Sequence, residues 1–172
     1  MQESSLSIRE FTPSLEPMFW SMLEEFKFHL DRDYYERCIE RHENGEIIIL
    51  MSDVNGVGIG YCLLNWQPKY SYFKKLSLPE IQDLNVLSNY RRGGVGKALV
   101  DFCEDMAVKK GHKEMGIGVG LNSSYGAAQR LYVRNGYIPD GCGVSYDRVQ
   151  VASGEFRPID DNLSLMMTKK LI

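Results

Sequence analysis

The 172 residues carry 44% hydrophobic and 25% charged side chains and a formal net charge of −3, the balance of a globular chain forming one domain, residues 1–172. No basic stripe is present, which argues against a nucleic-acid partner, and no run approaches the ~20 apolar residues of a membrane span. The four cysteines (Cys38, Cys62, Cys103, Cys142) and three histidines (His29, His42, His112) form no C-x-x-C pair and no zinc pattern, so a reduced, cytoplasmic protein without a metal is expected.

Met1-Gln2-Glu3-Ser4-Ser5 has no basic segment followed by an apolar run, so no secretory leader is expected. Leu6 to Phe11 alternates apolar and polar residues as a half-buried strand does. Thr12-Pro13-Ser14 breaks it. A helix follows from about Leu15, with Met18, Met22 and Phe26 four apart, and a second runs from about Asp31 to Arg41, ended by Asn44-Gly45. Glu46–Met51 and Val57–Trp66 read as strands of a hairpin, because Asn55-Gly56 between them tolerates positive φ. Glu80–Leu87 is the next strand.

The clearest helix comes after it. Val95, Ala98, Leu99, Phe102, Cys103, Met106 and Ala107 recur at steps of three and four, and Gly111 supplies the stop. Met115–Val119 is a short strand, Tyr125–Arg134 a helix stopped by Asn135-Gly136, and Val144–Val151 and Leu163–Thr168 close the chain as strands. This order gives a mixed α/β (α+β) layout, a sheet covered by helices.

Tyr90-Arg91-Arg92-Gly93-Gly94-Val95-Gly96-Lys97 lies between a strand and that helix. It has the makings of an anion site. A helix N-terminus offers unpaired N–H groups and partial positive charge, and glycine lets a phosphate approach the backbone. A Walker A loop requires Gly where Arg91 stands and Ser or Thr where Ala98 stands. A dinucleotide fingerprint requires Gly where Leu99 stands. Both readings fail.

The remaining pattern, Arg91-x-x-Gly94-x-Gly96, resembles the pyrophosphate turn of the GNAT superfamily of acetyl-CoA-dependent N-acetyltransferases. A second segment is similar to that family as well: Asn122, then Ala128-Gln129-Arg130-Leu131-Tyr132 and Gly136-Tyr137. The resemblance implies a mostly antiparallel central sheet flanked by helices, with acetyl-CoA as co-substrate. It implies that Arg91, Arg92, Gly93, Gly94, Val95, Gly96 and Lys97 cradle the phosphates, and that Val86, Leu87 and Asn122 contact the pantetheine arm. It also implies Tyr132 as general acid for the departing thiolate. The chemistry fits, since a phenol of pKa ~10 keeps its proton at neutral pH while a thiol of ~8.5 sits close to its own titration. Packing as a core aromatic is the other reading of Tyr132, and capping the other reading of Asn122.

A base must take the proton of the amine. Glu80, eleven residues before Arg91, resembles the family's glutamate in spacing. Asp83 is the second carboxylate, on the opposite face of a regular strand unless a bulge intervenes; water is a third route. Cys103 falls on the apolar helix stripe and reads as core rather than as a nucleophile.

Glu24, Glu25, Asp31, Asp33, Glu36 and Glu40, beside Trp20, Tyr34 and Tyr35, and the loop Gly154–Asp161 supply acidic groups that suit a cationic small-molecule amine. Solvated helix faces explain them equally well. A peptide or protein amine, or a non-catalytic acyl-CoA sensor, are the alternatives. Leu163–Met167 could pair across a homodimer, and a monomer accommodates it equally.

Overall fold

A computed structural model describes residues 5–172. Met1 to Ser4, on which the expectation of no leader partly rests, lie outside the described residues. Backbone contacts gather into two compact units: one reaches to Asn65 and takes in Gln82–Cys103, and the other holds Trp66–Ile81 and Glu104–Ile172.

The first unit opens with β1 (Leu6–Glu10), a short 3-10 turn and α1 (Glu16–Glu25), then α2 (Arg32–Glu43), β2 (Ile47–Val54) and β3 (Val57–Asn65). β1 pairs antiparallel with β2, and β2 with β3 across the Asn55-Gly56 turn, whose φ values are 53° and 79°. β4 (Glu80–Val86) lies beside β3, where Leu87 N–H donates to Ile59 O at 2.8 Å. The core of this unit is aromatic. Phe19, Phe26 and Tyr35 set their rings 5.8–6.0 Å from Tyr61, all edge-on. Phe19 and Tyr61 are fully buried, and each such ring contributes roughly 1.5–3 kcal/mol by leaving water.

The second unit holds α3 (Ser71–Leu76), the start of β4, β5 (Glu114–Gly120), α5 (Gly126–Arg134), β6 (Ile138–Tyr146), β7 (Val149–Gln150) and β8 (Leu163–Lys170). Here β4 pairs parallel with β5 through Glu80↔Gly116 and Ile81↔Ile117, and β5 pairs antiparallel with β8 and β8 with β6. Among the described residues the eight strands therefore pair mostly antiparallel, β4 with β5 being parallel, and helices flank the sheet. β8 is hydrogen-bonded on both edges, so Leu163–Met167 has no strand edge to offer a second copy.

α4 (Val95–Lys109) buries Val95, Leu99, Val100, Cys103 and Ala107, whereas Phe102, expected on the apolar stripe, is 36% exposed. Two expectations need correcting. Residues 144–151 are not one strand, because Asp147 and Arg148 adopt φ of 47° and 63° and turn the chain between β6 and β7. α3 lacks any counterpart in the expected elements; its six residues are too few to display a helical period.

Candidate active site

The turn before α4 is shaped by two left-handed residues, Arg92 at φ 64° and Gly94 at φ 83°. The second demands glycine for its backbone, and a Cβ built there meets nothing within 4 Å. The turn is thus open on that side. Ala98 N–H donates to Gly94 O at 2.9 Å and opens the helix, so the N–H groups ahead of it have no acceptor within α4. A helix N-terminus open in this way presents unpaired N–H groups and partial positive charge, the physical makings of an anion site.

The formal charges expected around the turn divide. Arg91 Nε donates to Val86 O at 2.9 Å and so braces the turn against the end of β4. Lys97 Nζ pairs with Asp101 one helical turn on, at 2.5 Å. Leu87 spends its N–H on Ile59 O and its carbonyl on Tyr90 N–H, at 2.8 and 2.9 Å. Because strand N–H groups alternate between edges, Val86 N–H points away from β3.

β4 is broken in its middle. Asp83 stands at φ 50° inside the strand, the signature of a bulge, and the alternation that would set it opposite Glu80 no longer applies beyond it. Its side chain is exposed and accepts a hydrogen bond from Tyr34 OH on α2. Asn85 Nδ2 donates to Asp83 O and to Tyr61 OH, both at 3.2 Å, and the Tyr35 and Tyr61 hydroxyls share a bond of 2.7 Å. Burial, reinforced by the nearby Asp83 carboxylate, pushes the phenols of Tyr34 and Tyr61 upward; burial likewise takes Tyr35 up to about 12. All three hold their protons through the neutral range. β3 admits this bulge only because residue 60 is glycine: a Cβ there would lie 2.9 Å from Asn85 O and from Ser52 Oγ.

Glu80 has a different setting. Its side chain is 1% exposed, and Arg148 Nη1 lies 2.5 and 2.7 Å from its two oxygens. Arg148 was not among the residues expected at the site.

Asn122 caps the 3-10 turn into α5, its Oδ1 accepting from Ser124 N–H at 2.9 Å and from Ser124 Oγ. Tyr132 is buried at the end of α5. Gly136 N–H donates to Val133 O and Tyr137 N–H to Tyr132 O, each at 3.0 Å, a Schellman stop with Gly136 at φ 90°. The Tyr132 and Tyr137 rings, 6.3 Å apart, make the apolar contact that usually accompanies it.

A family model described as "Acetyltransferase (GNAT) family" matches residues 12–137. This chain belongs to the GNAT family. It is an acetyl-CoA-dependent N-acetyltransferase with the mixed α/β fold of that family. An N-acetyltransferase of Archaeoglobus fulgidus is 27% identical over 115 residues, 64% of this chain and 73% of the relative. A GNAT acetyltransferase structure from Desulfovibrio desulfuricans aligns with a TM-score of 0.73 at 12% identity, covering 98% of this chain and all of that one. A Salmonella typhimurium acetyltransferase solved with acetyl-CoA aligns at 0.68 and 19% identity, over 98% of this chain and 95% of its own. At these identities the two structures speak for the fold alone.

The acidic residues noted along the sequence of this GNAT chain serve separate purposes. Asp31 caps α2 by accepting from Tyr34 N–H at 3.0 Å. Glu24, Glu25, Asp33, Glu36 and Glu40 are exposed. Asp160 and Asp161 accept from Tyr146 OH and Tyr125 OH, at 2.8 and 3.0 Å, and pin their loop. Cys103 is fully buried with its sulfur 3.5 Å from that of Cys62, a core position and no nucleophile's. Among the described residues no group of three or more His, Cys, Asp or Glu could hold a metal, and no helix is long and apolar enough to cross a membrane.

Proposed function

We propose that this chain moves the acetyl group of acetyl-CoA onto a primary amine of a small molecule by direct attack, its 172 residues acting as one N-acetyltransferase domain. The turn before α4 carries the reading: Gly94 at φ 83°, open space beside it, and a 15-residue helix beginning one residue later. Bound acetyl-CoA supplies an activated acyl group as a thioester. Arg91 to Lys97 hold its diphosphate through main-chain N–H groups and the charge of Arg92. Val86, Leu87 and the carboxamide nitrogen of Asn122 serve the pantetheine amides.

An amine with a pKa of ~10.4 arrives as ammonium and must lose a proton before it can attack. Asp83 or Glu80 takes that proton. Exposure at the bulge supports Asp83, while both oxygens of Glu80 are engaged by Arg148. The amine lone pair forms the C–N bond to the acyl carbon while Val86 N–H polarises the carbonyl. The C–S bond breaks, Tyr132 gives its phenolic proton to the sulfur, and the nitrogen, still carrying one proton more than an amide, releases it to water. The protonated carboxyl and the tyrosinate then exchange protons with water, which restores both groups. A cytoplasmic location suits the four cysteines, all of them free thiols.

The test is release of the CoA thiol across a panel of small cationic amines, neutral-side-chain amines and peptides. Turnover with a small amine and none with peptides is expected. Turnover with peptides alone would contradict the acceptor class, and no turnover with any amine would contradict the reaction.

A further inference from the structure

We propose that Tyr34 of α2 is a positioning residue for Asp83, and that the pair seats the ammonium group of the acceptor. The inference rests on the acetyl-transfer reading above and deepens it by assigning the acceptor side.

Tyr34 lies in the first turn of α2, and its backbone is fixed there by the Asp31 cap. Its hydroxyl reaches across 49 positions of sequence to the Asp83 carboxylate. Asp83 needs support of this kind, because a non-glycine residue at φ 50° is a costly backbone state that persists only where its surroundings impose it. Asn85 supplies part of that support by bonding Asp83 O and Tyr61 OH together, and Tyr35 closes the network behind. A backbone clamp of this form fixes where the bulge is. It does not fix the direction of the Asp83 side chain, to which the Tyr34 hydroxyl donates a hydrogen bond.

The direction of the hydrogen bond follows from burial. Tyr34 is half-buried and holds its proton, so it donates and the carboxylate accepts. The network behind is buried at Tyr35 and Tyr61, whereas Asp83 faces solvent. An exposed aspartate that accepts a hydrogen bond from a phenol matches a compact cationic group that brings its own N–H donors. A primary ammonium has this chemistry. A neutral hydroxyl or an anionic acceptor does not.

The experiment compares wild type, Tyr34→Phe, Asp83→Asn and the double variant, with acetyl-CoA binding followed by thermal shift and amine acetylation by thiol release. Tyr34→Phe should lower kcat/KM for a cationic amine about tenfold, chiefly through the amine KM, with the KM for acetyl-CoA unchanged. Asp83→Asn should cost about a hundredfold or more, and adding Tyr34→Phe to it should cost nothing further. A Tyr34→Phe penalty of equal size in both backgrounds, or a loss of acetyl-CoA binding with it, would make Tyr34 a structural staple and overturn the proposal. Full activity in Asp83→Asn would overturn it while leaving acetyl transfer standing. Wild type that binds acetyl-CoA but acetylates no amine would overturn the underlying reading, and this proposal with it.

Discussion

Arg148 Nη1 stands 2.5 and 2.7 Å from the two oxygens of Glu80, joining the tip of the β6–β7 hairpin to the first residue of β4. The arginine occupies a left-handed position that favours Asn or Gly, and the carboxylate it meets is buried. Removing one partner of a buried pair leaves the other uncompensated.

Arg148→Met should therefore destabilise the fold. Such losses run to ~3–5 kcal/mol for fully buried pairs; Arg148 is 37% exposed, and water screens part of the interaction, so about 1–3 kcal/mol is expected. Urea unfolding measures it. Adding Glu80→Gln should recover part of the loss, and an equal or larger loss in the double variant would contradict the pairing.

Gly60→Ala should destabilise by about 1–3 kcal/mol, the cost of overpacking. The added methyl would lie 2.9 Å from Asn85 O, which belongs to backbone and cannot swing away. Because Asn85 ties the bulge, amine turnover should fall more steeply than acetyl-CoA binding. Thermal melting and steady-state kinetics read the two effects separately.

The tyrosine cluster predicts alkaline sensitivity. Burial takes Tyr35 up to about 12 from an ordinary 10.0. Below pH ~10 the phenol is protonated in both folded and unfolded chains, and its contribution is fully present. Above that, the unfolded chain releases a proton that the folded chain keeps, so stability falls until pH about 12. Tyr35→Phe should flatten this decline by up to about 2 kcal/mol. An unchanged slope between pH 10 and 12 would contradict the burial effect.

Tyr132→Phe should leave acetyl-CoA binding intact and lower turnover by roughly 10²-fold, the scale of a lost general acid. Single-turnover acetylation separates this from a packing defect, which would lower the melting temperature as well. Unchanged turnover would leave Tyr132 as the apolar partner of Tyr137 alone.

The glycine turn and α4 were legible because both announce themselves locally, the turn by Gly94 and Gly96 and the helix by buried residues at steps of three and four. The stop at Asn135-Gly136 was legible for the same reason. The β6–β7 turn was hidden because its left-handed positions carry Asp147 and Arg148 in place of Asn-Gly. The pairings that decide the chemistry were not legible at all. Tyr34 and Asp83 are 49 residues apart, and Glu80 and Arg148 are 68 apart; only tertiary packing brings such groups together. The bulge at Asp83 entered by family resemblance, since nothing in Ile81-Gln82-Asp83-Leu84 signals a positive φ.

The most direct test is the melting temperature of the protein with and without millimolar acetyl-CoA, alongside Gly94→Glu, whose side chain would project a carboxylate into the open side of the turn. Ligand at a hundred times its dissociation constant stabilises a fold by ~2.7 kcal/mol, a rise of several degrees for a chain of this size. The wild type should show that rise, and Gly94→Glu, compared with its own unliganded melt, should not. No rise in the wild type, or an undiminished rise in Gly94→Glu, would contradict the assignment of the α4 turn as the seat of the acetyl donor.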